Sequence, residues 1–547
     1  MSNAKKRLPL SVLRITVAEL LAASVCELFP GTLLVGATNH HFGFFYDFIF
    51  EREIDERAVP LIEEKMREIV KECRPIVTQE MLCRNAVEYF NHHSQEMRAN
   101  FLKDLDGGLV KIFRLGDFFD FCQESYAKSL EEIEVFKIRE IQHFEKEYFS
   151  KKVKITRILG VACHDRASLK SALKALEVAK KIDHRLLGRE MKLFDTDASL
   201  GEDRWFWLPK GAILRQILEN WWFEEHKKQS FLRVYTPALL EGLTCKSEPS
   251  HAPLHALLFK SEPRSLEDLP MRYAELGELC FKGEDKHLWG MLQTQSYFSD
   301  TATIFCGQDQ LFDELISSLQ FIEKIARICN FRYKLYLYSC SKKQSSKDKF
   351  LVILRKVLQS CDLDYEERVA TCCAPRLEVR FVDFLQREWK GPEIAIDTEL
   401  VKKLKLCYRD GEGKECVPVM VRRALFGSLE RFIAVLIEHR KGIMPLCFIP
   451  EQVRVIPVSD ECVVYAKSIC EACNEHGLRV TVDLRNEQLK GKVKAANCEK
   501  IPYILVVGEK EKQQELVSVR HWNRKDVQKM RLDIFIERTL KEVKARM

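Results

Sequence analysis

The chain has 547 residues, 46% of them hydrophobic and 31% charged, with a net charge of +6. That length predicts a globular protein of three or four domains of about 100–200 residues each. No apolar run approaches the ~20 residues that span a bilayer. The start "MSNAKKRLPLSVLRITV" has no clean apolar segment followed by small cleavage residues. The expectation is a cytoplasmic protein whose 20 cysteines are free thiols in a reducing compartment.

In chain order, "TVAELLAASVCELF" at residues 16–29 reads as an amphipathic helix and "FGFFYDFIF" as a strand. Helices follow at about 57–73 and 83–104, and "GLVKIFRLGDFFDFC" returns to strand, which makes a small α+β unit. A connecting helix at 167–185 has Ala and Leu on one face and Lys on the other. Residues 186 to about 445 mix helices with many strand-like runs. From Pro445 strands and helices alternate over about 100 residues, an α/β pattern. Charge is uneven: residues 1–150 carry 19 Lys and Arg against 25 Asp and Glu, residues 451–547 carry 19 against 15. A basic body and C-terminal region suit a polyanionic partner.

Two spacings of potential ligands invite a metal reading. Cys470, Cys473 and His476 fall three apart within one helical pattern but have no suitably spaced fourth ligand, and His251 and His255 at i, i+4 lack a third. Both are read as packing or surface residues.

Within "AELGELCFKGEDKHLWGMLQTQSYFSDTATIFC", residues 274–306, two strands flank a charged loop. Side chains alternate along a strand, so Phe281 and Gly283 share one face, and Gln293 and Gln295 share one on the return. Neither pair offers a cation.

The runs "RWFWLPKGAILRQILENWW", "FLRVYTPALL", "LPMRYAELGELC", "VPVMVRRALFGSLERFIAVLIE" and "VTVDLRNEQLKGKVKAANCEKIPYILVVGEKE" follow one another in the order and spacing of bacterial threonyl-tRNA synthetases. The chain resembles that family from about residue 15 onward, with the family's usual small first, ubiquitin-like domain absent. The resemblance implies an α+β multidomain fold with a class II synthetase antiparallel-sheet core. Residues 1–160 would form an editing-like domain, 161–185 a linker helix, 186–445 the catalytic-like core and 446–547 an α/β anticodon-binding domain. The first motif, with helix 211–229 and the turn at Pro237, would build a dimer interface. In the third motif, "GSLERF", Arg431 stands where the family contacts ATP phosphates, and Glu378 is a second nucleotide-site position.

Against the family pattern, the phosphate- and adenine-binding side chains of the second motif are replaced by Phe281, Gly283, Gln293 and Gln295. The three zinc ligands of the family's amino-acid pocket correspond to Ala252, Thr303 and Arg422, none of which suits zinc. The editing-site histidines correspond to Ile15, Glu19 and Tyr126, with Asp120 and Cys122 retained as structural remnants. The anticodon-reading positions are kept as Asn486, Glu511 and Arg520, with Arg485 beside them, and Lys490, Lys492, Lys494, Arg524 and Lys525 could attract the RNA backbone.

The resemblance and its gaps imply a catalytically impaired member that acts by binding tRNA, with threonine tRNA as the expected partner. It would be a homodimer, or a heterodimer with a complete synthetase, with no membrane contact. Neither zinc nor another cofactor is expected. ATP would be bound only under the alternative that the chain is an active threonine–tRNA ligase with a rebuilt pocket. A third alternative is a pure interaction partner of a genuine synthetase subunit.

Overall fold

The computed structural model describes residues 8–40, 43–103, 108–121, 125–149, 151–197, 199, 204–237, 250–280, 289–339, 349–369, 375–522 and 526–545. The chain divides into two compact units, Met1–Lys180 and Lys181–Met547.

In the first unit, Leu33–His40, Gly43–Ile49, Lys151–Cys163 and Val135–Tyr148 form an antiparallel sheet in that order. A second sheet joins Ile76–Leu82, Leu109–Leu115 and Phe118–Phe121. The helix Leu10–Leu28 differs from expectation: it is buried at Leu13 and continuously from Ile15 to Val25, not on one face. The reason is that the sheet strands and the helix Val59–Lys71 both pack against it, so even its polar members Thr16, Glu19 and Ser24 lie inside. Thr16 and Ser24 return their hydroxyls to the carbonyls of Val12 and Leu20, at 2.7 and 2.8 Å. The helix expected at 83–104 is two, Cys83–His92 and Glu96–Lys103, broken where Ser94 takes a positive φ of 57°.

The second unit is built on an eight-stranded sheet in the order Leu232–Arg233, Met271–Cys280, Ser296–Cys306, Val419–Ala424, Glu388–Ile396, Arg376–Val382, Arg332–Ser339 and Glu366–Val369. All pairings are antiparallel except at its two edges. The helices Pro209–Lys228, Leu311–Cys329 and Leu429–His439 bury apolar faces in the same core. That core continues into a five-stranded sheet in the order Val480–Val482, Val453–Pro457, Tyr503–Val507, Leu516–His521 and Val527–Arg531. Its first three strands are parallel and the last two antiparallel. No helix among the described residues is long and apolar enough to cross a membrane.

Candidate functional site

The strands Met271–Cys280 and Ser296–Cys306 pair in unbroken register from Met271 opposite Phe305 to Cys280 opposite Ser296. Phe281, Gly283 and the charged loop fall at 281–288, outside the described residues. The reading of Gln293 and Gln295 as strand neighbours on one face is corrected. The return strand begins at Ser296, and Gln293 belongs to a tight turn in which its N–H and carbonyl both bond Trp289, at 3.3 and 3.1 Å. Gly290 makes that turn with a φ of 52°, and a Cβ there would lie 2.3 Å from His184 Nε2.

The turn is clamped from two helices. Ser428 caps the helix Leu429–His439 by accepting from Arg431 N at 3.2 Å. One turn of that helix then holds the return segment twice: Arg431 Nε donates to Leu292 O at 3.0 Å, and Glu430 Oε2 accepts from Phe298 N at 3.0 Å. On the other side His184 Nε2 accepts from Met291 N at 3.1 Å, while its Nδ1 donates to Glu438 at 2.7 Å, a carboxylate shared with Arg387 at 2.5 Å. Asp183, His184 and Glu438 converge closely enough to suggest a metal, yet both nitrogens of His184 are committed to protein hydrogen bonds. Asp300 ties the return strand to the third motif by accepting from the N–H groups of Leu425, Phe426 and Gly427, at 2.5, 2.9 and 2.8 Å. These hydrogen bonds fix the described part of the return segment between the helix Leu429–His439 and His184. The second nucleotide-site position, Glu378, is buried in a 2.6 Å pair with Arg380.

Two of the three residues at the positions that the resemblance gives to zinc are strand neighbours, and the third begins a helix tied to them. Thr303 and Arg422 are directly opposite on adjacent strands, so their side chains share a face. The helix Ala252–Lys260 is joined to that face by His255 Nδ1, 2.9 Å from Thr303 Oγ1. Ala252 offers no donor atom, and Arg422 brings a guanidinium that lies 3.3 Å from Asp397, so this set does not fit a zinc ion. A buried hydrogen-bonded cluster stands beside it. His255 Nε2 and His251 Nδ1 reach the two oxygens of Glu275 at 3.2 and 2.9 Å, and Thr236 Oγ1 lies 3.0 Å from His251 Nδ1. Gly277 makes room for it, since a Cβ there would come within 2.3 Å of His251 Nε2. The histidine pair read as packing or surface residues is thus the centre of a polar network, which i, i+4 spacing alone could not reveal.

Two expectations follow. Purified protein should contain well under one equivalent of zinc, and a chelator should leave its melting temperature unchanged; stoichiometric zinc by elemental analysis would contradict this. Burial pushes the Glu275 carboxyl up, but the imidazoles outweigh it and hold it at about 2, against an ordinary 4.5. A carboxyl with a depressed folded-state pKa stabilises above its unfolded value and loses that contribution as pH falls. Glu275→Gln should therefore be less stable than the parent chain by about 3 kcal/mol at neutral pH. The gap in unfolding free energy should narrow from pH 4.5 toward pH 2, and a pH-independent gap would contradict the assignment.

In the first unit the editing-like positions are closed by side chains. Asp120, fully buried, accepts from Arg98 Nε at 2.6 Å and Phe121 N at 2.7 Å through one oxygen and from Tyr46 through the other. Arg98 also donates to the Val35 carbonyl at 2.9 Å. Burial foremost, and then Asp120, push the Glu19 carboxyl well above the usual range, and Arg98 pairs with Asp120. Ile15 is buried and Tyr126 lies 3.5 Å from Glu19; Cys122 lies outside the described residues. Asp120 is more than a remnant: it is the acceptor at the centre of a buried network, with its oxygens occupied.

The C-terminal sheet brings together the positions that the resemblance gives as anticodon-reading. Val480–Val482 and Tyr503–Val507 both run parallel to Val453–Pro457, so the loops after them leave from the same end of the sheet, where ligands of open α/β sheets bind. Asn486 lies in the first loop, exposed, and Glu511 in the first turn after the second. Glu511 Oε1 accepts from Ser518 Oγ at 3.0 Å and pairs with Lys529 at 2.9 Å. Lys529 foremost, with Ser518, outweighs burial and holds the Glu511 carboxyl at about 2. Arg520 is exposed two residues beyond Ser518 on the same strand, hence on the same face. Arg485 is exposed, but its fork is engaged by Asp483 at 2.6 and 2.9 Å. Lys492 is corrected: it is buried and donates to the Asp483 carbonyl at 3.2 Å, so it is a packing residue. Arg524 and Lys525 lie outside the described residues.

This pairing of an antiparallel sheet crossed by three motifs with a separate α/β sheet defines a class II aminoacyl-tRNA synthetase architecture. Residues 245–440 match the class II core domain of the G, H, P, S and T synthetases, and residues 452–542 match the anticodon binding domain. The threonine–tRNA ligase of Acidobacterium capsulatum is 31% identical over 97% of this chain and 83% of its own. That of Aquifex aeolicus is 30% identical over 98% and 89%. A crystal structure of the RNA binding domain of threonyl-tRNA synthetase from Cryptosporidium parvum matches 66% of this chain and 98% of its own, with a TM-score of 0.61 at 26% identity. The chain belongs to the threonyl-tRNA synthetase family.

Proposed function

We propose that this protein binds threonine tRNA through its C-terminal domain and does not activate an amino acid. The observation that carries the reading is the contrast between two sites in one unit. At the synthetase centre the described strands pair in register, but positions 293 and 295 hold glutamine and the positions that the resemblance gives to zinc hold Ala252, Thr303 and Arg422. At the C-terminal sheet, Asn486 and Arg520 stand exposed, and Glu511 lies beside them, its carboxylate held by Ser518, Lys529 and the Gly508 N–H. An amide and a carboxylate can pair with base edges, and a guanidinium can stack on a base or hold a phosphate.

The active-ligase reading is favoured by one fact, the 30% identity to a threonine–tRNA ligase over 98% of the chain, and amino-acid activation assays separate the two. A second copy would pair through the helix Pro209–Lys228 and the edge strand after it, where Ile213, Leu232 and Tyr235 are 41%, 55% and 71% exposed.

The test of the RNA reading is substitution at the exposed positions. Asn486→Ala or Arg520→Ala should cost about 1–3 kcal/mol in affinity for threonine tRNA and flatten its advantage over other tRNAs in anisotropy titrations. Variants that bind every tRNA as the parent chain does would contradict the reading.

A further inference from the structure

The helix Arg166–Ile182 is thinly covered. From Arg166 to Lys181 none of its residues is buried, although Leu169, Ala172, Leu173, Leu176 and Ala179 line up as one apolar stripe at helical spacing. Two ion pairs tie it to the strand Val135–Tyr148, an edge of the first unit's four-stranded sheet: Arg139 with Glu177 at 3.1 Å and Lys180 with Glu140 at 3.6 Å. Between helix and strand runs an open groove of about 440 Å³, lined by Lys137, Ile138, Lys170, Leu173 and Lys174 together with the Arg139–Glu177 pair. Lys137, Lys170 and Lys174 are exposed and form no ion pair among the described residues.

The groove is one-sided in charge. Of the five charged groups that line it four are cations, and its single carboxylate, Glu177, already holds its single guanidinium, Arg139. Three uncommitted ammoniums beside a leucine and alanine stripe call for a ligand that carries carboxylates next to apolar side chains. A further strand does not fit. The strand bulges at Arg139, and the Ile138 N–H at that edge donates to Glu63 of the helix Val59–Lys71 at 2.8 Å. A nucleic-acid backbone would use the lysines but leave the apolar stripe in water. A helix meets both demands, because side chains three and four apart lie on one face and can seat along the stripe while their neighbours reach the lysines.

We propose that this groove docks an acidic amphipathic helix of a partner protein, its apolar side chains on the Leu169–Leu173–Leu176 stripe and its carboxylates against Lys137, Lys170 and Lys174. The inference stands on the first unit alone and does not depend on the tRNA-binding reading.

The probe is a fluorescein-labelled peptide as long as the helix Arg166–Ile182, with glutamates along one helical face and leucines along the other. A control peptide has the same composition in an order that forms no stripe. In anisotropy titrations the full chain should bind the striped peptide about tenfold more tightly than the control, with affinity falling as salt rises. Lys170→Glu/Lys174→Glu should weaken the striped peptide by about tenfold and bind threonine tRNA as the parent chain does. In the unsubstituted protein, carbodiimide coupling of the peptide's carboxylates should fall on Lys137, Lys170 or Lys174 by peptide mass mapping, a readout that stands whether or not the variant folds. Equal affinity for the two peptides, an unchanged peptide affinity in the variant, or coupling spread evenly over the surface lysines overturns the proposal. A folded variant that loses threonine tRNA but keeps the peptide also overturns it and assigns the groove to RNA.

Discussion

Threonine-dependent exchange of pyrophosphate into ATP should be absent. Adenylate formation brings a carboxylate against the α-phosphate, and the negative charge that builds there needs donors already in place. Losing one such donor costs about 2.7–4 kcal/mol, or two to three decades in rate. Here four positions of the second motif hold Phe281, Gly283, Gln293 and Gln295. Arg431, the retained arginine of the third motif, donates its Nε to the Leu292 carbonyl. A neutral amide cannot replace arginine's charged planar fork. The prediction is exchange at background with threonine and with each of the other nineteen amino acids. Exchange above background with any one of them would restore the ligase reading.

The second large effect concerns stability. Replacing Arg98 with methionine would leave the fully buried Asp120 without the guanidinium that donates to it, beside Glu19, whose carboxyl burial already pushes up. Removing one partner of a buried pair costs about 3–5 kcal/mol, mostly because the remaining charge is stranded, whereas replacing both partners with apolar groups is far milder. Calorimetry of the full chain should show a marked fall in the melting temperature for Arg98→Met, with much of it recovered in Arg98→Met/Asp120→Leu. Equal stability of Arg98→Met and the parent chain would mean that the pair is not what balances this cluster.

Much of the architecture was legible because it rests on long periodic segments. The helix expected at 211–229 is Pro209–Lys228, and the helix expected at about 460–476 is Val463–Glu475. The parts that were not legible depend on what lies across space. The helix Leu10–Leu28 looked amphipathic because Glu19 and Thr16 punctuate it, but their hydrogen bonds to Tyr126 and the Val12 carbonyl let them lie inside. Gln293 and Gln295 looked like strand neighbours by alternation, yet Gly290 turns the chain there and delays the strand to Ser296. Lys492 looked like one of a basic series, and only the fold shows the Asp483 carbonyl that takes it out of solvent. At the zinc positions the residue types already argued against a metal, but the cluster of His251, His255 and Glu275 joins the histidines to a carboxylate 20 residues or more away in sequence. No local pattern encodes it.

The central claim, that this member of the family works by recognising RNA and not by charging it, is tested most directly by tRNA preference. Full-length protein should be titrated by anisotropy, at near-physiological salt, with threonine tRNA, the same tRNA with an altered anticodon, and an unrelated tRNA. The account predicts tightest binding of threonine tRNA, with the anticodon change costing about 1–3 kcal/mol. Equal affinity for all three, or no binding of any, would contradict it.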